Sequence, residues 1–178
     1  MVWRVLKWVV IVVVVAYVAL VIGRAIYFMR QDRALEEVEK IHATQLQLAD
    51  VLGLNLPPEP QNPDATVAGV DANKNGIRDD VELAIYKEYP DSAKTRAVLL
   101  QYALALQMEV TQPIVSEETV IAVAQVGDRA SECIGESYPR TNLSDFIKIT
   151  DGYVDFVERR QLNTSARVEA QKEFYRGN

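Results

Sequence analysis

Apolar positions are concentrated at one end of the chain. Residues 8–23 carry no charge and are dominated by Val, with Trp8, Tyr17 and Gly23 among the exceptions. A bilayer-spanning helix needs about 20 apolar residues. Val2, Trp3, Val5 and Leu6 extend the run upstream, and Ala25, Ile26, Tyr27, Phe28 and Met29 extend it downstream. The pattern predicts a membrane span over residues 5–27. Lys7 and Arg24 can snorkel to opposite interfaces, and Trp3, Trp8 and Tyr27 suit the headgroup zone. No face of the segment is polar, which argues against a core helix of a soluble fold. A cleaved signal peptide is the competing reading. Its best cleavage candidate, Gly23-Arg24-Ala25, has Arg in the middle and bulky Ile26 and Tyr27 behind it, so an uncleaved anchor is preferred.

The pattern then changes period. Leu35, Val38, Ile41, Leu48, Val51 and Leu52 recur at spacings of three and four or their sums. They predict an amphipathic helix over residues 33–54, a stalk continuous with the membrane helix. His42 lies beside its apolar face and reads as an ordinary helix histidine. Residues 55–64 hold Pro57, Pro58, Pro60 and Pro63, which suit neither helix nor central strand. They predict a stiff connector between stalk and main domain, followed by an extended stretch over 65–70.

Five helical patterns follow. The first spans 79–89 and stops at Pro90. The second, capped by Asp91 or Ser92, reaches about residue 111; its stretch 97–106 is apolar nearly all round and predicts the central buried helix. Ser116 caps the third, which extends to about residue 137. Asn142 or Ser144 opens the fourth, with Phe146, Ile149, Tyr153 and Phe156 or Val157 on one face. Thr164 or Ser165 caps a last helix ending near Tyr175. No stretch alternates with period two, so the fold class is all-α. The predicted division is an anchor over 1–30, a stalk helix over 31–54, a Pro-rich linker over 55–70, and a helical domain over 71–178.

Charge narrows the list of partners. Every acidic residue lies at or after Asp32. Setting aside Arg4, Lys7, Arg24 and Arg30 from the 19 basic residues leaves 15 against 25 acidic ones, a net charge of −10 beyond the membrane segment. Such a surface repels nucleic acid and attracts cations, so no nucleic-acid partner is expected. The single cysteine, Cys133, and the single histidine, His42, leave no intramolecular disulfide and no thiolate zinc site. Cys133 is followed by Ile134 on the apolar side of its helix and is expected to be a buried, inert thiol.

The informative chemistry lies in residues 71–82, Asp-Ala-Asn-Lys-Asn-Gly-Ile-Arg-Asp-Asp-Val-Glu. A hard cation wants six to eight oxygens gathered without backbone collisions. Asp71, Asn73 and Asn75 stand at alternate positions with short oxygen-bearing side chains. Gly76 permits the left-handed backbone that reverses the chain. Asp79 and Glu82 add carboxylates in the first turn of the next helix, where the macrodipole favours negative charge. The segment matches D-x-[DN]-x-[DN]-G-x5-E without a mismatch and resembles the EF-hand calcium loop. The resemblance covers these twelve residues and the helix after them. It implies Ca2+ held by Asp71, Asn73, Asn75, the backbone carbonyl of Ile77, Asp79 and both carboxylate oxygens of Glu82.

The departures shape the expectation. Only three of these ligands are charged, and Lys74 and Arg78 lie within the loop. No helix precedes Asp71 and no partner loop exists, so the segment is more similar to the solitary loops of dockerin and thrombospondin type 3 modules. Low charge and a single loop imply an affinity of about 10⁻⁴ to 10⁻³ M, a site filled outside the cytosol. This places the domain in the periplasm or outside the cell, since the flanking positive charges are balanced and do not orient the span. The competing reading of the same residues is a set of Asx turns and a helix cap with no ion. The expected role is a structural or interaction module of the cell envelope, stabilised by calcium and engaging an envelope protein partner, and not an enzyme. One enzyme alternative exists: Glu136-Ser137 after Gly135 resembles the Glu-Ser pair of lytic transglycosylases, with Glu136 as general acid on a glycan. Nothing downstream resembles the rest of that motif, and Tyr138 and Pro139 follow at once.

Overall fold

A computed structural model of the chain describes residues 2–176. Among the described residues the fold is entirely helical, without strands. Seven helices occur in order: α1 (Val2–Ala43), α2 (Leu48–Leu52), α3 (Asp79–Glu88), α4 (Ala93–Thr111), α5 (Glu117–Ser137), α6 (Leu143–Gln161) and α7 (Ser165–Arg176).

Helix α1 is one continuous element of 42 residues, about 63 Å at 1.5 Å per residue. Its N-terminal part stands clear of the domain, with large apolar side chains exposed from Val2 to Met29. An 18-residue window there has a mean hydropathy of 2.9 and none of it is buried, so the helix is long and apolar enough to cross a membrane. The C-terminal part docks directly on α5. Ala34 and Ile41 are buried there, and Val38 packs partly against the core.

The expected stalk helix over 33–54 is therefore corrected in two respects. The helix ends at Ala43, and residues 44–47 leave helical geometry before the short α2 begins. Leu48 and Leu52, which continued the apolar spacing, are exposed, while Asp50 at 2% exposure is the buried side chain of α2. Asp50 explains the break. Its carboxylate accepts from the Gln47 amide at 3.0 Å, caps α2, and fixes a local turn that a continuing α1 could not make. Gly53, at φ 74°, ends α2 in the left-handed region.

The Pro-rich stretch is not a free connector. Residues 62–69 form turns and bends, with Gly69 N–H donating to Thr66 O at 3.2 Å, in place of the extended stretch expected over 65–70. Two fully buried arginines hold this segment. Arg167 on α7 donates to the carbonyls of Pro63, Thr66 and Val67 at 2.8, 3.0 and 2.9 Å, and pairs with Asp64 at 2.5 Å. Arg78 reaches Asp64 of the segment at 3.5 Å, donates to Gln161 O at 3.1 Å and pairs with Asp80 at 2.5 Å. Each guanidinium has its charge and its donors matched, which is what makes its burial tolerable.

Helix α4 is the centre of the domain. Its stretch from Leu99 to Met108 is buried almost throughout, and it packs against α2, α3, α5, α6 and α7. Ser92 caps it, accepting from Thr95 N–H at 3.2 Å. Asn142 caps α6 by accepting from the amides of Ser144 and Asp145 at 3.1 and 3.4 Å. Along α6, Val157 reaches the core, and Tyr153 and Phe156 stack edge-on against Tyr89 with ring centroids 5.7 and 5.5 Å away.

Candidate metal centre

The loop that enters α3 is closed at its base by Asp79 N–H donating to Val70 O at 2.9 Å. Inside it, short polar side chains turn back on the loop's own amides. Asp71 accepts from the N–H groups of Asn75 at 3.1 Å and Gly76 at 2.9 Å. Asn73 Oδ1 accepts from Asn75 N–H at 3.3 Å, and Asn75 Oδ1 from Ile77 N–H at 2.9 Å. Asp79 receives Ala72 N–H on both oxygens, at 3.0 and 3.2 Å. Gly76 lies at φ 84°, and a Cβ added there would meet Leu104 Cδ1 at 2.8 Å, so glycine is required by conformation and by space. Lys74, at φ 60°, is the one other positive-φ residue of the loop.

Ile77 is fully buried in the core beside Val81 and Ile85. Its side chain anchors the loop, and its amide lies among the polar groups above. Glu82, one turn into α3, is also fully buried. Asn73 Nδ2 donates to its Oε2 at 3.1 Å, but Glu82 Oε1 and Asn75 Nδ2 are both buried without a hydrogen-bond partner. Burial pushes the Glu82 carboxyl up to about 7; Asn73 and Asn75 oppose this, and the carboxylates of Asp50 and Asp79 add to it. Asp79 is raised as well, chiefly by burial, against the pull of the Ala72 amide and with help from Asp71 and Asp80.

The loop thus brings Asp71, Asn73, Asn75, Asp79 and Glu82 together with Ile77 at one turn of chain. Among the described residues, no group of three or more carboxylate, imidazole or thiol side chains converges on one point as a metal cluster. The Asx-type bonds are those an ion-free turn requires. The group offers carboxylate and amide oxygens, and Glu82 is a buried acid with one oxygen unmatched, while Asn73 and Asn75 turn amide nitrogens toward it. The loop cations do not neutralise it. Lys74 is exposed, and Arg78, expected from its position to offset the loop carboxylates, is turned away to Asp80 and the end of α6. His42 and Cys133 stand elsewhere, on α1 and α5.

Two contributors were not visible in the loop's own sequence. Asp50 lies close enough to Glu82 to act on its charge, and Asn55 O accepts from Asn73 Nδ2 at 2.7 Å. A cavity of about 530 Å³ separates this α2 region from the loop. The only local sign of Asp50 was an acid interrupting Leu48-Ala-Asp-Val-Leu52, which helical spacing alone treats as a solvated position.

Exposure places two further residues. Cys133 is exposed and lines a cavity of about 330 Å³ between the end of α1 and α5, so the expected buried thiol is corrected. It stands on the flank of α5, while its neighbour Ile134 fills the core. Glu136 is exposed near the end of α5 and not partly buried. No protein-family model, curated protein or solved structure matches the chain, so the functional reading rests on its own residues.

Proposed function

We propose that the chain is a single-pass, membrane-anchored calcium-binding module of the cell envelope. Its domain lies on the exported side, where calcium stabilises the fold and the domain holds a protein partner close to the bilayer. The observation that carries this reading is the unmatched, fully buried Glu82 Oε1 at the twelfth position of a D-x-N-x-N-G-x5-E loop. A buried carboxylate left without a counter-charge is costly, and a divalent cation removes that cost. Asp71, Asn73, Asn75, the Ile77 carbonyl, Asp79 and Glu82 would hold the ion, which supplies charge neutralisation and cross-linking, not chemistry.

Calorimetric titration of the full chain in detergent tests this. Calcium in the millimolar range gives heat and raises the melting temperature; at ten times the dissociation constant the gain is about 1.4 kcal/mol. Asp71→Ala and Glu82→Ala abolish the response, and Glu136→Ala leaves it intact. Glu82→Gln also abolishes it, yet keeps or raises the melting temperature in chelator, because the buried charge is gone. Wild-type protein giving no heat and no shift at millimolar calcium would overturn the proposal.

A further inference from the structure

Helices α1 and α5 pack side by side, and the cavities between them fix which end of α5 faces the bilayer. A cavity of about 310 Å³ joins Tyr27, Arg30 and Leu35 of α1 to Val115, Ser116 and Glu118. The cavity that holds Cys133 lies farther along, between residues 41–46 and residues 126–133. The N-terminus of α5 therefore stands at the membrane end of the domain. The turn over residues 112–116 that leads into it reaches the level of Tyr27, at the foot of the apolar span. Gln112 Nε2 donates to Glu37 at 3.0 Å, and from there the turn descends along α1. Ile114 and Val115 are exposed on it, at 43% and 39%.

The backbone of the turn suits that depth. Where water is scarce an unmatched N–H is costly. Gln112 N–H donates to Met108 O at 2.8 Å, Pro113 has no N–H, and the amides of Val115 and Ser116 both donate to Thr119 Oγ1 at 3.3 Å. Glu117 and Glu118 follow at once and are exposed. Carboxylates do not enter hydrocarbon without a large cost, so they hold the turn to the headgroup layer. Arg30, in the same cavity as Glu118, offsets part of their charge, which suits a zwitterionic lipid surface. We propose that the α4–α5 turn is a second membrane contact, with Ile114 and Val115 seated among the lipid headgroups beside α1. This rests on the membrane-anchor reading above. A lone span leaves the tilt of the domain open; a second contact fixes which face meets the bilayer.

The chain's only tryptophans, Trp3 and Trp8, both lie in the apolar part of α1, so fluorescence separates the two claims. The full-length protein is reconstituted into phosphatidylcholine vesicles whose acyl chains carry bromine, a tryptophan quencher, near the headgroup. In the wild type the native tryptophans should be quenched relative to unbrominated vesicles. Ile114→Trp, made in a Trp3→Phe, Trp8→Phe background, should be blue-shifted and lose most of its emission. Glu136→Trp in the same background, about 28 Å along α5 from Glu117, should keep its emission. Quenching in the wild type with none in Ile114→Trp overturns the second contact and leaves the anchor standing. Equal quenching in Ile114→Trp and Glu136→Trp also overturns it, since the domain then lies on its side. No quenching in the wild type removes both. If Ile114→Trp loses its helical circular dichroism, Val115→Trp takes its place with the same expectations.

Discussion

Lys74 sits in the loop at φ 60°, a left-handed conformation that costs a lysine about 1 kcal/mol, and it rims the cavity above the acidic groups. Both its backbone and its charge oppose the proposed site. Asn tolerates this conformation and carries no charge. Lys74→Asn is therefore expected to tighten calcium binding about three- to ten-fold and to leave stability in chelator equal or slightly higher, as calorimetry and thermal unfolding would show. Arg78, four positions later, looks equivalent in the sequence but is not. Its guanidinium is buried and committed to Asp80 and the α6 terminus, so removing it should disturb the fold before it alters the ion. Charge along a loop was legible from the sequence; the direction in which each charge points was not, because for Arg78 it depends in part on carbonyls 82 and 83 residues away. Asp50 escaped for a related reason. Its burial is decided by where α1 stops, and no cap signal outside the pattern itself marked that point.

At the level of elements, the helices of the domain were readable because their caps and apolar faces agree. Of the paired candidates, Ser92 and Asn142 form the side-chain caps, whereas the Ser116 hydroxyl expected to cap α5 has no hydrogen-bond partner; α4 is surrounded as its uniformly apolar stretch requires. Of the Pro-rich linker, the C-terminal end is fastened to the domain, which its prolines do not announce, since proline content reports what a backbone cannot form but not what grips it. Its grip comes from Arg167, which binds three of its carbonyls and Asp64. Arg167→Met leaves those acceptors unmatched and should cost about 3 kcal/mol in denaturant unfolding. The Arg167 guanidinium, with the Asn163 amide, holds the Asp64 carboxyl below its ordinary value. A lowered folded-state pKa means the contribution is present above the unfolded value of about 4 and is lost as pH falls through the lower folded value. The wild-type melting temperature should fall as pH drops below about 4, and Asp64→Asn should flatten that decline.

The whole molecule divides into an apolar rod and an acidic domain, with one helix belonging to both. If α1 spans a bilayer, the full chain should stay with membranes through alkaline carbonate washing and be released only by detergent. Recovery in the carbonate supernatant would count against the anchor. Exposed apolar residues run to Met29 and recur at Leu35, while the domain already covers Ala34, five residues after Met29 and about 8 Å along the helix. There is thus no leash. The domain would ride at a fixed height directly on the membrane surface, turning and tilting with its anchor as one lever. Its working radius is its own size: it could meet a neighbour in the same bilayer or a ligand lying at the headgroups, and it could not reach across a wider compartment in search of either.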